Sequence, residues 1–441
     1  MDIFAAIGGT AWTVFFFILA LSVIVFVHEY GHYIVGRWSG IHAEVFSVGF
    51  GPVLLSRRDR RGTQWQIAAI PFGGYVKFLG DADATSVKAG DTSGLSAEER
   101  RHTMTGAPLW ARAATVTAGP VANFILTFVL LIGLLLSVGM PYEQPVVGRV
   151  ASLPDSTTAI EPGDVILALN GIAVSDQQSY ADVVQTLPPA QRITWTLQRG
   201  DAILEVEGPH PLPALISGAS LRSAAMDAGL QRGDVILRAG GTDINTFAQL
   251  PEIVKASKGA PVALTVWREG EVFDVALTPR IRLAPKGDGT FEERYLLGLE
   301  SAPAVEQATR LPGALEAVDL VGQRMWQQVT ATLKSLGWMI SGAISTCNLS
   351  GAIGMAETMG DAARNGVETF IGMMAVLSLG VGILNLFPIP VLDGGHLVFY
   401  AYEAVTRRPP PERALRALMT VGLSFVLAIM IFALSRDLIC V

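Results

Sequence analysis

The chain has 441 residues, half of them hydrophobic, and its mean hydropathy is +0.43. Only 16 % of the residues are charged, where a soluble globular chain carries about a quarter, so the composition argues against a soluble protein and predicts an integral membrane protein with one or two soluble domains. The net charge of −7 and the absence of a long basic run argue against nucleic acid as a partner. The two cysteines, Cys347 and Cys440, indicate neither a disulfide framework nor a cysteine-rich zinc site.

Four stretches are apolar enough to cross a bilayer as helices, which takes roughly 17–25 residues. They cover residues 10–35 and the intervals between Arg112 and Glu143, between Glu368 and Asp393, and between Arg416 and Arg436. Pro388 and Pro390 shorten the third helix, because proline breaks helical hydrogen bonding. The N-terminal run lacks a basic start and a cleavage site, so we expect it to be retained and not removed as a signal peptide.

Basic residues concentrate in the loops at 37–112 and 393–416. Because cytoplasmic loops carry an excess of Lys and Arg, both loops are predicted to face the cytoplasm. Four spans then place both termini, and the long stretch between the second and third spans, on the outer side of the membrane.

The first apolar stretch ends in the pentad His28-Glu29-Tyr30-Gly31-His32. Two histidines four residues apart on a helix differ by about 40° of rotation, so both rings leave the same face and can hold one zinc ion. The glutamate beside the first histidine can take a proton from a water molecule that the metal activates. The alternative is that these are interfacial residues that reach toward lipid head groups.

Residues 39–80 change to a β pattern in an apolar context. Residues 44–48 and 64–70 are predicted to form short strands, and residues 71–77 continue as an irregular glycine-rich strand. Irregular backbone at membrane depth is stable only against protein or water. The stretch is therefore predicted to be a membrane-reentrant β-element that dips toward the active site, with an ordinary cytoplasmic hairpin as the alternative. A polar loop is predicted at 81–99.

Small residues open the second apolar stretch, in the sequence Gly119-Pro120-Val121-Ala122-Asn123. They allow helices to pack closely, and an amide in lipid requires a partner. Asn123 could therefore steady either a neighbouring helix or the metal site.

The long outer segment contains an internal repeat at an offset of 70 residues. The sequence Gly-Asp-Val-Ile-Leu at 163–167 recurs at 233–237, and Arg-Gly at 199–200 is echoed by Glu-Gly at 269–270. A repeat that keeps its register through glycine turns predicts two copies of one small β-rich domain. The unit resembles the PDZ domain, which binds extended peptides at a sheet edge. Two inert spacer domains are the alternative.

Residues 284–368 are predicted to be a linker with amphipathic helices. Apolar residues recur at helical spacing over 311–338, which suits a helix that lies along the membrane surface. The sequence Asn-Leu-Ser-Gly at 348–351 is predicted to form a turn before a further helix.

Asp393 is the best candidate for the third protein ligand that a catalytic zinc site requires. It ends the third apolar stretch, after Pro388 and Pro390 and before Gly394 and Gly395, residues that interrupt the helix and let the chain turn. The alternative is an ordinary interfacial carboxylate that caps a helix.

Together these motifs resemble those of the site-2 protease family. They are HEYGH, GGYVK, GPVAN, the two PDZ-like repeats, NLSG and NLFPIPVLDGGH, in this order over nearly the whole chain. The resemblance implies a membrane α-helical fold with four transmembrane helices, a membrane-reentrant β-element and two soluble β-rich PDZ domains. The implied parts are an N-terminal membrane part at 1–140, PDZ domains at 141–212 and 213–283, a linker with surface helices at 284–368, and a C-terminal membrane part at 369–441.

The resemblance also implies an intramembrane zinc metalloprotease of the bacterial inner membrane, with its PDZ domains in the periplasm. Such proteases cut single-span membrane proteins, best known among them an anti-sigma factor of envelope stress signalling already trimmed by a periplasmic protease. Remnants of signal peptides are a further substrate class. On this resemblance His28, His32 and Asp393 bind Zn²⁺ and Glu29 is the general base. Substrate contacts are implied for Asn385, Gly73, Gly74, Tyr75, Val76 and Lys77.

Two positions depart from the family pattern. Gly380 stands where relatives often have asparagine. Ala352 follows the NLSG motif, where relatives have proline. Neither is a proposed ligand. A zinc-binding scaffold or transporter, whose PDZ domains recruit partners without proteolysis, is one alternative function. A protease-like protein whose main task is chaperoning or degrading leftover signal peptides is another.

Overall fold

The computed structural model describes residues 3–81, 94, 96–154, 158–220, 223–285, 291–343 and 351–439. The chain divides into two compact units. The first consists of Met1–Leu134, Val318–Met339 and Thr346–Val441, and the second of Leu135–Ala317 and Ile340–Ser345. Residues 348–350 of the predicted turn, and most of the loop predicted at 81–99, lie outside the described residues.

The N-terminal part of the first unit consists of three helices and a long hairpin. Its elements are α1 (Ile3–Trp38), β1 (Ala43–Arg58), β2 (Gln64–Phe78), α2 (Ala97–Arg101) and α3 (Leu109–Val138). Of these, α1 and α3 contain the first two predicted spans, and the strands correspond to the predicted β-element. β1 extends to Arg58, well beyond the strand predicted at 44–48.

The two strands form a sheet that is wider than a simple hairpin. Residues 45–48 of β1 pair on one side with residues 64–67 of β2 and on the other side with residues 74–77. The chain bends at Gly49 and Gly51, whose φ angles of 92° and 82° are readily adopted only by glycine. The buried face of the sheet packs against α1 and α3 through Tyr33, Phe46, Val76, Phe78 and Ala111.

The second unit contains two four-stranded sheets. The elements of its first repeat are β3 (Met140–Pro141), β4 (Val147–Val150), β5 (Val165–Leu169), β6 (Ile172–Ala173), α4 (Gln177–Thr186), β7 (Arg192–Arg199) and β8 (Ala202–Pro209). Those of its second repeat are β9 (Ile216–Ala219), α5 (Ala224–Asp227), β10 (Val235–Ala239), β11 (Thr242–Asp243), α6 (Leu250–Ala256), β12 (Val262–Arg268) and β13 (Glu271–Leu277). The sheets have the orders β6-β5-β7-β8 and β11-β10-β12-β13, so the repeated sequence folds into a repeated arrangement of strands.

Each repeat buries an aspartate against an arginine. Asp164 accepts hydrogen bonds of 2.7 and 2.8 Å from Arg199, and Asp234 accepts bonds of 2.6 and 2.7 Å from Arg268. The hydrogen-bonded guanidinium lowers the pKa of Asp164, because it stabilises the ionised carboxylate. The counterpart of Arg199 is therefore Arg268 and not Glu269. The offset is 70 at β5 and β10 and falls to 69 at β7 and β12, which corrects the match expected from the sequence.

The end of the second unit returns across both repeats. Its strands are β14 (Arg280–Pro285), β15 (Phe291–Leu296), β16 (Leu299–Ser301), β17 (Val305–Gln307) and β18 (Thr309–Arg310). β16 pairs with β9, β17 with β4, and β18 with β3. The segment predicted as a linker with helices thus also supplies strands to both repeats.

The C-terminal part of the chain is helical. It contains α7 (Ala314–Ile340), α8 (Ala352–Arg364), α9 (Val367–Asn385), α10 (Asp393–Thr406) and α11 (Glu412–Ile439). Within the described residues, four helices are long and apolar enough to cross a membrane, and they agree with the four predicted spans. They are Gly9–Trp38 of α1, Leu109–Val138, Val367–Asn385 and Glu412–Ile439.

Helices α1 and α3 come into close contact at a glycine. A Cβ at Gly31 would collide with the carbonyl oxygen of Ala118 and would lie 2.8 Å from the Cβ of Ala122. Only glycine therefore permits this separation of the two backbones, as small residues do in membrane helix pairs generally. Gly133, farther along α3, has no such neighbour within 4 Å of the corresponding position in the described chain.

Gly31→Ala is expected to lower the free energy of unfolding of the full chain by about 1–3 kcal/mol, the usual cost of overpacking, because a backbone carbonyl cannot rotate away. Gly133→Ala adds the same methyl group to open space and is expected to be neutral or slightly stabilising. Unfolding in mixed detergent micelles with a metal chelator measures both variants. Equal free energies for the two variants would contradict the close contact.

Candidate metal centre

His28 and His32 leave α1 on the same face, one helical turn apart. Their ring centroids are 4.8 Å apart, and their side chains are only 11 % and 12 % exposed. The helix carries no charged residue from Ile3 to Val27. Polar groups placed at the end of such an apolar span are costly unless they have partners.

Asp393 reaches the two histidines from the first residue of α10. α9 ends at Asn385, and the chain then folds back tightly before α10 begins. A Cβ at Gly394 or Gly395 would collide with backbone carbonyl oxygens of residues 386–389. The two glycines are therefore required because the chain packs against itself, and this tight turn positions the carboxylate.

Three potential ligand atoms converge in this place. Nε2 of His28 lies 3.1 Å from Oδ2 of Asp393, Nε2 of His32 lies 3.5 Å from the same oxygen, and the two nitrogens are 3.2 Å apart. A tetrahedral zinc ion with bonds of about 2.0–2.1 Å keeps its ligands about 3.3 Å apart. The three atoms thus match the spacing of three corners of a zinc tetrahedron, and no fourth His, Cys, Asp or Glu belongs to this group among the described residues.

The hydrogen bonds around the site support the same conclusion. Nδ1 of His32 lies 2.9 Å from the carbonyl oxygen of Thr115. A carbonyl only accepts, so Nδ1 carries the proton and a neutral His32 presents a lone pair at Nε2. That lone pair faces Oδ2 of Asp393, a buried oxygen that accepts no hydrogen bond from the described residues. Electron pairs facing one another in a buried site repel unless a proton or a metal ion lies between them, and the spacing of these three atoms fits a zinc ion.

Glu29 lies beside these ligands and against β2. The backbone N–H of Val76 hydrogen-bonds its carboxylate, and a Cβ at Gly74 would lie 3.1 Å from its Cγ. The carboxylate is thus oriented by the strand on one side and adjoins His28 and His32 on the other. A carboxylate in this position can accept a proton from a water molecule that a bound metal ion activates.

The predicted substrate strand alternates between two environments. Gly74 and Val76 face α1, whereas the hydroxyl of Tyr75 accepts a hydrogen bond of 3.1 Å from Gln66. Lys77 forms an ion pair of 3.0 Å with Glu44. Gly73 has a φ angle of 121° and begins this stretch. The alternation follows from strand geometry, in which successive side chains point to opposite faces.

Asn385 is the last residue of α9 and precedes Asp393 by eight residues. Its side chain is partly exposed, and in the described part of the chain it makes no hydrogen bond to the three candidate ligands. Its role as a substrate contact therefore stays a prediction.

α3 lies behind both histidine rings. A Cβ at Gly119 would collide with the ring of His32. The side chain of Asn123 lies 3.1 Å from Nδ1 of His28. The backbone carbonyl of Asn123 accepts a hydrogen bond from Ser378 of α9. Asn123 thus contacts both a neighbouring helix and the metal site. Thr115 was not anticipated from the sequence, because it acts only through its backbone carbonyl.

Comparison with known proteins identifies the class of protein. The model of Peptidase family M50 matches residues 16–429. The chain is 34 % identical over 440 residues to a protein of Agrobacterium fabrum named as a zinc metalloprotease, which covers 99 % of this chain and 98 % of the relative. It is 33 % identical over 458 aligned residues to the regulator of sigma-E protease of Salmonella typhimurium, and the alignment covers 97 % of this chain and 98 % of the relative. Proteases of this family depend on zinc, and the chain belongs to it: peptidase family M50, the site-2 protease family.

Proposed function

We propose that this chain is a zinc metalloendopeptidase that cleaves single-span membrane proteins within the bilayer. The observation that carries the proposal is the convergence of His28, His32 and Asp393 on and beside helices of membrane-spanning length. A base, Glu29, adjoins these ligands, and a zinc ion held by three protein ligands would keep one position for water or substrate. Metal-assisted peptide hydrolysis requires these three features.

The chain's own residues have distinct roles in this reaction. Zinc, when bound, supplies Lewis-acid chemistry, polarising the scissile carbonyl and lowering the pKa of water to about 7. Glu29 accepts a proton from the attacking water and delivers it to the nitrogen of the leaving amine. The N–H of Val76 orients that carboxylate. His28, His32 and Asp393 would hold the ion through one atom each.

A substrate helix hides its backbone in its own hydrogen bonds, so the scissile peptide becomes accessible only after local unwinding. We propose that the unwound segment pairs with residues 73–77 of β2, the stretch that lies against Glu29. Pairing at the strand replaces hydrogen bonds that the helix loses. Asn385 would then bind the substrate near the metal, and the sheet of β1 and β2 would be a membrane-reentrant element.

The basic loops support an orientation with both termini and the second unit in the periplasm and with the loops at 37–112 and 393–416 in the cytoplasm. The two repeats, at 141–212 and 213–283, are proposed as PDZ domains that exclude substrates with an intact ectodomain. The Salmonella relative is named a regulator of sigma-E protease, which supports a pre-cleaved anti-sigma factor of envelope stress signalling as substrate. Signal-peptide remnants are a second substrate of the same kind.

Glu29→Gln is expected to slow cleavage of a model single-span substrate by about 100-fold or more, because the amide cannot accept the proton. It should retain about one zinc ion per chain, since the ligands are untouched. Asp393→Ala should lose both zinc and cleavage. Metal content of the purified full chain and cleavage in proteoliposomes measure the two properties separately.

Glu368→Gln is the matched control, because Glu368 is exposed at the start of α9. It should bind zinc and cleave as the wild type does. A wild-type chain that binds zinc but cleaves no single-span substrate would contradict the protease and favour the zinc-binding scaffold or transporter.

Removal of residues 147–307 is expected to let the protease cleave a substrate whose ectodomain is intact. This deletion takes out β4 and β9 together with their partners β17 and β16 and keeps β3 paired with β18. A short Gly-Ser linker can close the gap, because the N–H of Ala308 donates to the carbonyl of Val146 at 2.8 Å. A pre-trimmed substrate is the control and should be cleaved by both chains. Continued protection of the intact substrate would count against the exclusion role.

A further inference from the structure

The two ring nitrogens of His28 have different neighbours. Nε2 lies 3.1 Å from Oδ2 of Asp393 and 3.2 Å from Nε2 of His32, so it faces the proposed zinc position. Nδ1 points to α3, where the side-chain nitrogen of Asn123 lies 3.1 Å away. A neutral imidazole has one proton, so a lone pair at Nε2 requires an N–H at Nδ1. Nδ1 of His28 is therefore a donor that needs an acceptor.

The side-chain amide of Asn123 can supply this acceptor. Asn123 is fully buried, and its Oδ1 has no hydrogen-bond partner among the described residues. With its nitrogen toward His28, the amide would oppose one donor to another. The oxygen and nitrogen of an amide have nearly the same shape, so the network of hydrogen bonds decides the orientation. A half-turn of the amide places Oδ1 against the N–H of His28.

We propose that Asn123 is a positioning residue whose Oδ1 accepts the Nδ1–H of His28 and so holds the Nε2 lone pair toward zinc. This inference rests on the proposed zinc site. Thr115 does the same for His32 through its carbonyl, at 2.9 Å, so both acceptors lie on α3. Partners of this kind fix the tautomer and the ring orientation of a metal-binding histidine.

The position of Asn123 is itself fixed by two hydroxyl groups. Thr127 and Ser378 each donate to its backbone carbonyl at 3.0 Å. Thr127 is one turn along α3, and Ser378 is on α9. The backbone carbonyl of Asn123 is thus bound from two helices, and its side-chain amide lies against His28.

Two substitutions separate an acceptor role from a packing role. Asn123→Leu keeps a similar volume but removes the acceptor, and it is expected to weaken zinc binding by about 10–100-fold. Asn123→Asp keeps an oxygen in the same place and should bind zinc within a few-fold of wild type. The measurement is zinc affinity of the full chain in detergent, by competition with a chromophoric chelator. Ile125→Leu, at an exposed position of the same helix, is the control and should stay close to wild type.

A second measurement uses the unaltered protein. Nitrogen NMR of the zinc-loaded wild type should show His28 protonated at Nδ1 and bound to the metal through Nε2. The opposite assignment would overturn the inference even where Asn123→Leu fails to fold.

The outcomes distinguish this inference from the protease itself. Wild-type affinity in Asn123→Leu, or an equal loss in Asn123→Leu and Asn123→Asp, would overturn the role of Asn123 and leave the zinc protease intact. A wild-type chain without zinc affinity would overturn both.

Discussion

Three electron-pair donors meet between apolar helices: Nε2 of His28, Nε2 of His32 and Oδ2 of Asp393, all within 3.5 Å of one another. Such groups are costly to remove from water, and a cation bound among them would compensate for this cost. Arg112 of α3 donates hydrogen bonds of 2.7 and 3.0 Å to Glu403 of α10, and these bonds help to hold that geometry. α3 packs against the histidine rings, and α10 begins with Asp393.

The cost of removing polar groups from water also explains how other polar groups are placed in this apolar unit. Asp437, near the end of α11, is buried and accepts three backbone N–H groups at the start of α8, those of residues 351, 353 and 354. α8 in turn contacts α1, where the indole of Trp12 donates to the carbonyl of Gly360. Backbone groups without water must find partners inside the protein. The polar pairs thus tie together the helices around α1.

The second unit follows a different principle, in which distant segments complete each other's sheets. β16 and β17 are separated by three residues, yet each pairs with a different repeat. Neither repeat therefore has its full set of strands until the chain beyond the second repeat has folded back. The two repeats bury equivalent aspartates, Asp164 and Asp234. The strands β16 and β17 pair with both repeats, which lie in one compact unit.

Local pattern was sufficient for the four spans, for the two histidines on one face of α1 and for the existence of the repeat, because hydropathy, helical period and turn residues act over a few positions. The prediction of Asp393 as a metal ligand came from the proline and glycine pattern around it and from the family resemblance. The tertiary structure alone decided the 3.1–3.5 Å ligand distances, the place of α3 behind the rings and the pairing of the return strands. These depend on contacts between residues far apart in the sequence, such as His32 with Thr115, 83 residues apart, and Arg112 with Glu403, 291 residues apart. A backbone carbonyl such as that of Thr115 is present in every residue type, so no sequence pattern can reveal which one a histidine will meet.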